Sequence, residues 1–180
     1  MTTLIRPAQI AHFRILPDVL WRTRRYLQTF GRKRTEGYLC WSGVPTGTEE
    51  VQIRSCIFPP DFEPSESSSG HLEIGIQRAF GMGQIVAQRE ELIFAQVHSH
   101  PAEAFHSPID DARPISHRPG FMSIVVPHFG FVRLADLSGC KVFEYEGYGC
   151  WRELSASEIE RRFVILRQSW LTRVKNWLKT

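Results

Sequence analysis

Residues 96–111 read Gln-Val-His-Ser-His-Pro-Ala-Glu-Ala-Phe-His-Ser-Pro-Ile-Asp-Asp and hold the residue types needed to bind a divalent metal. They overlap the end of an apolar run at 92–97 that reads as a buried strand. His98 and His100 are two residues apart. Strand side chains repeat every two residues, so both imidazoles point to one face. Pro101 lacks a backbone donor and helps end the strand. Asp110 follows, three residues after Ser107. Two imidazoles and one returning carboxylate make three protein ligands. With a fourth position left to water, this is the pattern of a catalytic rather than a structural zinc site.

Each residue alone has a plainer explanation. A histidine at a strand end is usually an ordinary polar residue. An Asp after Ser-Pro is usually a turn or a helix cap. Their combination, His-x-His-Pro directly after an apolar strand and then Ser-x-x-Asp, is uncommon by chance.

A group for proton transfer lies upstream. Glu36 opens the strand-like run Glu-Gly-Tyr-Leu-Cys-Trp-Ser-Gly-Val. A carboxylate at the mouth of a buried strand either caps or salt-bridges the chain, or takes a proton from water activated by a metal. The downstream histidines favour the second role. Glu49 and Glu50 compete, but they lie in the turn-like stretch Thr-Gly-Thr-Glu-Glu. Of the other histidines, His106 adjoins Ser107, while His117 and His128 fall in loops.

Glu36, the motif His98-Ser99-His100-Pro101 and the motif Ser107-Pro108-Ile109-Asp110 together resemble the signature of the JAMM (JAB/MPN) zinc metalloprotease family, in its lone prokaryotic type. The likeness is specific over residues 36–44 and 92–126 and only architectural elsewhere. The spacer between His100 and Ser107 is one residue shorter than the family's commonest form. The longer count would put Pro108 and Asp111 in the Ser and Asp places. Ser107 and Asp110 keep both the Ser and its spacing to the Asp, and Asp111 stands as the alternative.

The resemblance implies an α/β fold: a JAMM/MPN-like (cytidine-deaminase-like) curved mixed β-sheet flanked by helices. It implies one Zn2+ per chain on His98, His100 and Asp110, with Glu36 as proton acceptor and Ser107 donating to the developing oxyanion. The implied reaction is cleavage after the C-terminal tail of a ubiquitin-like protein, in deconjugation or precursor maturation. Activating or conjugating enzymes of the same system are the implied partners, and some relatives are linked to phage defence. Two other classes compete. Non-catalytic MPN scaffolds usually lose the Glu, a His or the Asp, and all are present here. A zinc deaminase would want His-x-Glu followed by Pro-Cys-x-x-Cys, and neither occurs.

The elements that must carry these residues follow from patterning. The chain has 180 residues, 42% hydrophobic and 23% charged, which suits one soluble domain over 1–180. A net charge of +3 does not establish nucleic-acid binding. Cys40, Cys56, Cys140 and Cys150 form no Cys-x-x-Cys pair and read as mostly buried thiols in a reducing compartment. The N-terminus lacks the form of a signal peptide and no apolar run is long enough to span a membrane, so a cytoplasmic protein is expected. Strands are expected at 9–15, 36–44, 51–58, 71–74, 92–97, 121–126, 131–135 and 141–145. Helices are expected from Pro17 to Gly31 and over 76–89, the second with Ile76, Ala79, Phe80, Gly83 and Val86 on its packed stripe. Residues 59–70 form a biased, flexible surface loop. Ser155 and Glu158 give a capping-box start to a final helix over about 156–178. Its two late tryptophans, Trp170 and Trp177, are compatible with a homodimer or partner interface.

Overall fold

The computed structural model describes residues 7–63, 74–112 and 114–167. A 3-10 turn at Pro7–Gln9 leads into β1 (His12–Ile15), α1 (Pro17–Gly31), β2 (Tyr38–Pro45) and β3 (Glu50–Ile57). Then come α2 (Ile76–Gln88), β4 (Leu92–Ser99), the one-turn helix α3 (Pro108–Ala112) and β5 (Met122–Val126). A 3-10 turn at His128–Gly130 precedes β6 (Lys141–Gly147), β7 (Cys150–Glu153), α4 (Ala156–Arg162) and β8 (Phe163–Ile165). The eight strands of the described residues form one mixed sheet in the order β7-β6-β5-β4-β2-β3-β1-β8, flanked by the helices. β4 is central, parallel to β5 and antiparallel to β2.

The alternation of side chains sorts the core between the two faces. Leu39, Trp41, Ala95 and Val97 join Leu20 and Leu27 of α1 in the larger cluster. Tyr38, Cys40 and Ile57 meet Met82 and Val86 of α2 on the other face. Trp41 donates its indole N–H to Thr23 Oγ1 at 2.8 Å, which satisfies two buried polar groups in the larger cluster. Among the described residues no helix is long and apolar enough to cross a membrane.

Several expectations are corrected. Residues 131–135 form no strand: both sides of β5 are already taken, by β4 and β6, and Leu134 and Leu137 turn inward to plug the core instead. The final helix stops at Arg162. Phe163, Val164 and Ile165 leave it for the sheet and pair in parallel with β1, and the Phe163 ring stacks on Phe13 at 4.8 Å. Aromatic and β-branched residues in succession suit a strand better than a helix. Leu166 and Arg167 are in neither helix nor strand, and residues 168–178 of the expected helix, Trp170 and Trp177 included, lie outside the described residues, as do 64–70 of the expected loop and 71–73 of the expected strand. The buried positions of α2 are Met82 and Val86, whereas Ile76 and Phe80 face solvent at 86% and 68% exposure. β7 was not expected. Positive φ at Gly147, Tyr148 and Gly149 turns the chain back to form it.

Cys40, Cys56 and Cys140 are buried free thiols, and Cys150 is exposed. Burial pushes Cys40 and Cys140 up to about 12 and Cys56 up to about 11, so none of the three offers a thiolate near neutral pH.

The strands nearest β7 are fastened by charge. Glu144 of β6 accepts from Arg152 at 2.7 Å and from Arg162 at 3.0 Å, and Arg162 also donates to the Ile10 carbonyl at 3.0 Å. Partial burial opposes the charge on Glu144, but Arg162 and Arg152 outweigh it and hold its carboxyl below the usual glutamate range. A depressed folded-state pKa stabilises the fold above the unfolded value and stops doing so as the pH falls through the folded one. Glu144→Gln should therefore lower the Tm at neutral pH. The gap to wild type should close as the pH is taken below about 4.5. Thermal melts of both proteins across pH 3–7 check this.

Candidate metal centre

The site lies at the end of β4, where the strand leaves the sheet. His98 stands opposite Tyr38 of β2 in the antiparallel register. The pairing extends one step further, with Ser99 N–H donating to the Gly37 carbonyl at 3.1 Å and Gly37 N–H donating to Ser99 Oγ at 3.1 Å. Continuing the count sets Glu36 opposite His100. Residues opposite one another share a face, so Glu36, Tyr38, His98 and His100 stand on the same one. Glu36 is buried at 3% exposure, a setting unlike that of an ordinary surface carboxylate. Glu50 opens β3, beside the far end of β2, and is paired with Arg14 at 2.6 Å.

The main chain of His100 is clamped on both sides. Its N–H donates to the Val126 carbonyl at 2.9 Å, and its carbonyl accepts from Phe129 N–H at 2.7 Å. Phe129 makes that bond from the left-handed region, at φ 52°. α1 comes so close there that a Cβ at Gly31 would lie 2.4 Å from Phe129 Cβ. Glycine at position 31 is thus a packing requirement of the turn that holds His100.

Asp110 is returned to the histidines by α3. Ser107 N–H donates to Asp110 Oδ2 at 2.8 Å, and Asp110 N–H donates to Ser107 Oγ at 3.3 Å. This reciprocal pair is a capping box built from Ser-x-x-Asp, so the spacing has a local structural cause as well as a chemical use.

The three side chains converge. His98 Nε2 and His100 Nε2 are 3.2 Å apart, His98 Nε2 is 3.3 Å from Asp110 Oδ1, and His100 Nε2 is 3.6 Å from Asp110 Oδ2. With one donor atom from each residue, the three lie within 4.8 Å of one another, close enough to share one cation. Ligands about 2.0–2.1 Å from a tetrahedral ion are separated by about 3.3–3.4 Å, a spacing that His98 meets towards both His100 and Asp110 Oδ1. Both imidazoles are buried, at 1% and 4% exposure. Burial alone would raise the Asp110 pKa, but hydrogen bonds from His100 and His98 outweigh it and hold the carboxyl well below the usual range. Nitrogen and carboxylate donors in this number fit a zinc-like cation. His100 Nδ1 is buried and finds no partner among the described residues, and the Phe105 ring meets the imidazole edge-on at 4.5 Å.

Asp110, not Asp111, is therefore the carboxylate brought to the histidines. The Asp111 side chain turns away and its Oδ1 lies 2.6 Å from His106 Nδ1. His106 is not in the cluster: its ring centroid is 6.4 Å from that of His98. Burial lowers the His106 pKa despite the bond to Asp111. His128 is half-exposed 3.9 Å from Glu103, and His117 is exposed beside Tyr145. No other cluster of this kind occurs among the described residues. Reading the motif missed the polar residues beneath the site, Gln96 and Ser123. Gln96 interrupts the apolar run 92–97 two residues before His98, and Ser123 interrupts the apolar run 121–126.

No protein-family model matches the chain. It is 24% identical over 148 residues to the probable metalloprotease y4jG of Sinorhizobium fredii (strain NBRC 101917 / NGR234), a match that covers 82% of this chain and 90% of that protein. Among solved structures it is similar to the solution structure of protein DSY2949 from Desulfitobacterium hafniense. That likeness has a TM-score of 0.57 at 13% identity, covers 88% of this chain and 96% of the other, and bears on the fold alone.

Proposed function

We propose that this chain is a zinc-dependent peptidase or isopeptidase of the JAMM type, built on a JAMM/MPN-like sheet. The observation that carries the reading is the convergence of the buried His98 and His100 on Asp110, with His98 Nε2 3.2 Å from His100 Nε2 and 3.3 Å from Asp110 Oδ1. Glu36, two residues before β2, is itself buried. Similarity to a probable metalloprotease over most of the chain supports it. Zinc held by those three side chains supplies a Lewis acid that polarises a carbonyl and brings the pKa of water towards neutrality.

The chain's own residues do the rest. Glu36 accepts the proton of the attacking water and returns it to the departing amine. Ser107, already fixed against Asp110, donates its hydroxyl hydrogen to the oxygen on which negative charge develops. Burial of the two histidines keeps bulk water from competing for their lone pairs. No cysteine or serine nucleophile is required, in keeping with three thiols that burial holds neutral.

The substrate we assign is the C-terminal tail of a ubiquitin-like protein, joined to a lysine or to a short extension. The buried free thiols suit a cytoplasmic location. The test is to incubate the purified chain, with zinc and after chelation, with ubiquitin-like proteins fused through their tails to a reporter. Cleavage after the tail, read by mass spectrometry, should stop on chelation and return with zinc. Cleavage of unrelated peptides only would remove the substrate assignment and keep the metallopeptidase. No metal-dependent cleavage of either kind would remove both.

A further inference from the structure

We infer that His106 is a positioning residue for the metal centre, holding the segment that carries Asp110 on the sheet; this rests on the reading of His98, His100 and Asp110 as metal ligands. Residues 101–107 between β4 and α3 form neither helix nor strand, and α3 is a single turn of five residues. A helix that short has little stability of its own, so tertiary anchors must set the position of Asp110.

His106 supplies such an anchor. Its side chain is 5% exposed. The ring stacks on Phe143 of β6 at 4.3 Å and meets Trp151 of β7 edge-on at 4.9 Å. Trp151 also donates its indole N–H to the Asp111 carbonyl at 3.4 Å. Both ring nitrogens are engaged, Nδ1 with Asp111 Oδ1 at 2.6 Å and Nε2 with Ser123 Oγ at 2.9 Å.

The bonds beyond Ser123 give the ring a direction. Gln96 Nε2 donates to Ser123 Oγ at 3.1 Å, while Gln96 Oε1 accepts from Tyr38 O–H at 3.4 Å and from Ile115 N–H at 3.2 Å. Burial, with the Cys40 thiol and Asp110 nearby, pushes the Tyr38 phenol well above its ordinary value, so it stays a donor. Ser123 then gives its hydrogen to His106 Nε2, and His106 Nδ1–H points at the acceptor Asp111. Every donor in the chain meets an acceptor.

The register places this network under the site. Gln96 pairs with Ser123, and Ser123 with Phe143, in one row across β4, β5 and β6. That row lies one side-chain repeat below His98 on the same face. A shift of His106 therefore moves Asp111 and, through it, the neighbouring Asp110. Partners outside the ligand shell typically change metal affinity by about 10–100-fold.

The experiment titrates Zn2+ and Co2+ into wild type, His106→Ala and His106→Asn against a competing chelator, and records the Co2+ absorption spectrum and the metal-free Tm. His106→Ala should bind Zn2+ about tenfold or more weakly and show a changed Co2+ spectrum. Asn keeps a donor near Nδ1 and should recover part of both losses. An alanine variant that melts lower but binds metal with wild-type affinity and spectrum would overturn the inference and leave the metal centre standing. Should His106→Ala fail to fold, the Asn variant decides, with wild-type affinity and spectrum after loss of the Ser123 bond counting against the inference. A wild type that takes up neither ion would overturn both.

Discussion

Purified His98→Ala should carry almost no zinc where wild type carries about one ion per chain. His98 contributes one of three protein donors, and its Nε2 is central to the cluster, within 3.2 Å of His100 and 3.3 Å of Asp110. Loss of a partner outside the ligand shell already costs about 10–100-fold in metal affinity, so loss of a ligand should cost more than about 100-fold. Asp110→Asn should have an effect of the same kind. It removes the charge that the two imidazoles stabilise and weakens the acceptor of the Ser107 capping bond. Asp111→Asn should retain zinc far better, because its side chain is not in the cluster and the amide oxygen can still accept from His106 Nδ1. Elemental analysis of the four proteins, with Tm as a check on folding, is the measurement. Equal zinc in wild type and His98→Ala would remove the metal centre from this place.

Glu36→Gln should keep zinc and lose hydrolysis. The amide has nearly the size of the carboxylate and fits the same buried position, but it cannot accept a proton. A positioned general base contributes about 10^2–10^4 in rate, or about 3–5 kcal/mol of barrier. The expected outcome is a fall of that size in kcat/KM on any substrate that wild type cleaves, with metal content unchanged. Glu36 precedes β2, outside both the strand end that carries the two histidines and the turn that carries Asp110. A variant that lost zinc along with activity would make Glu36 a structural part of the centre. Undiminished activity would end its assignment as the base.

Much of the site was legible because it is carried by local rules. His98 and His100 share a face because strand side chains alternate, whatever the sheet around them. Ser107 and Asp110 sit three apart because one helical turn brings such a pair together, and the capping box uses that spacing. Gln96 and Ser123 were passed over because a polar residue in an apolar strand has no meaning until its neighbour across the sheet is known. The expected helix beyond Arg162 failed for a related reason. Phe163 fits a helical stripe with Ile159, yet it is the exposed edge of β1 and the ring of Phe13 that hold it. α2 shows the same limit: its span was read nearly to the residue, but the expected stripe shares only Val86 with the buried face, which depended on what lay beneath Met82 and Val86.

The sequence by itself determined the donor types, the strand that carries two of them, the helical turn that carries the third and the glutamate upstream. These follow from backbone periods of two and 3.6 residues, which act within a few positions of the chain. Only the tertiary structure decided that Asp110 rather than Asp111 meets the histidines, that Glu36 is buried, and that His106 is tied into the sheet through Ser123. Each of these depends on elements separated by ten or more positions in the chain being packed together. Sheet register and core packing set such meetings, and neither leaves a local mark on the chain.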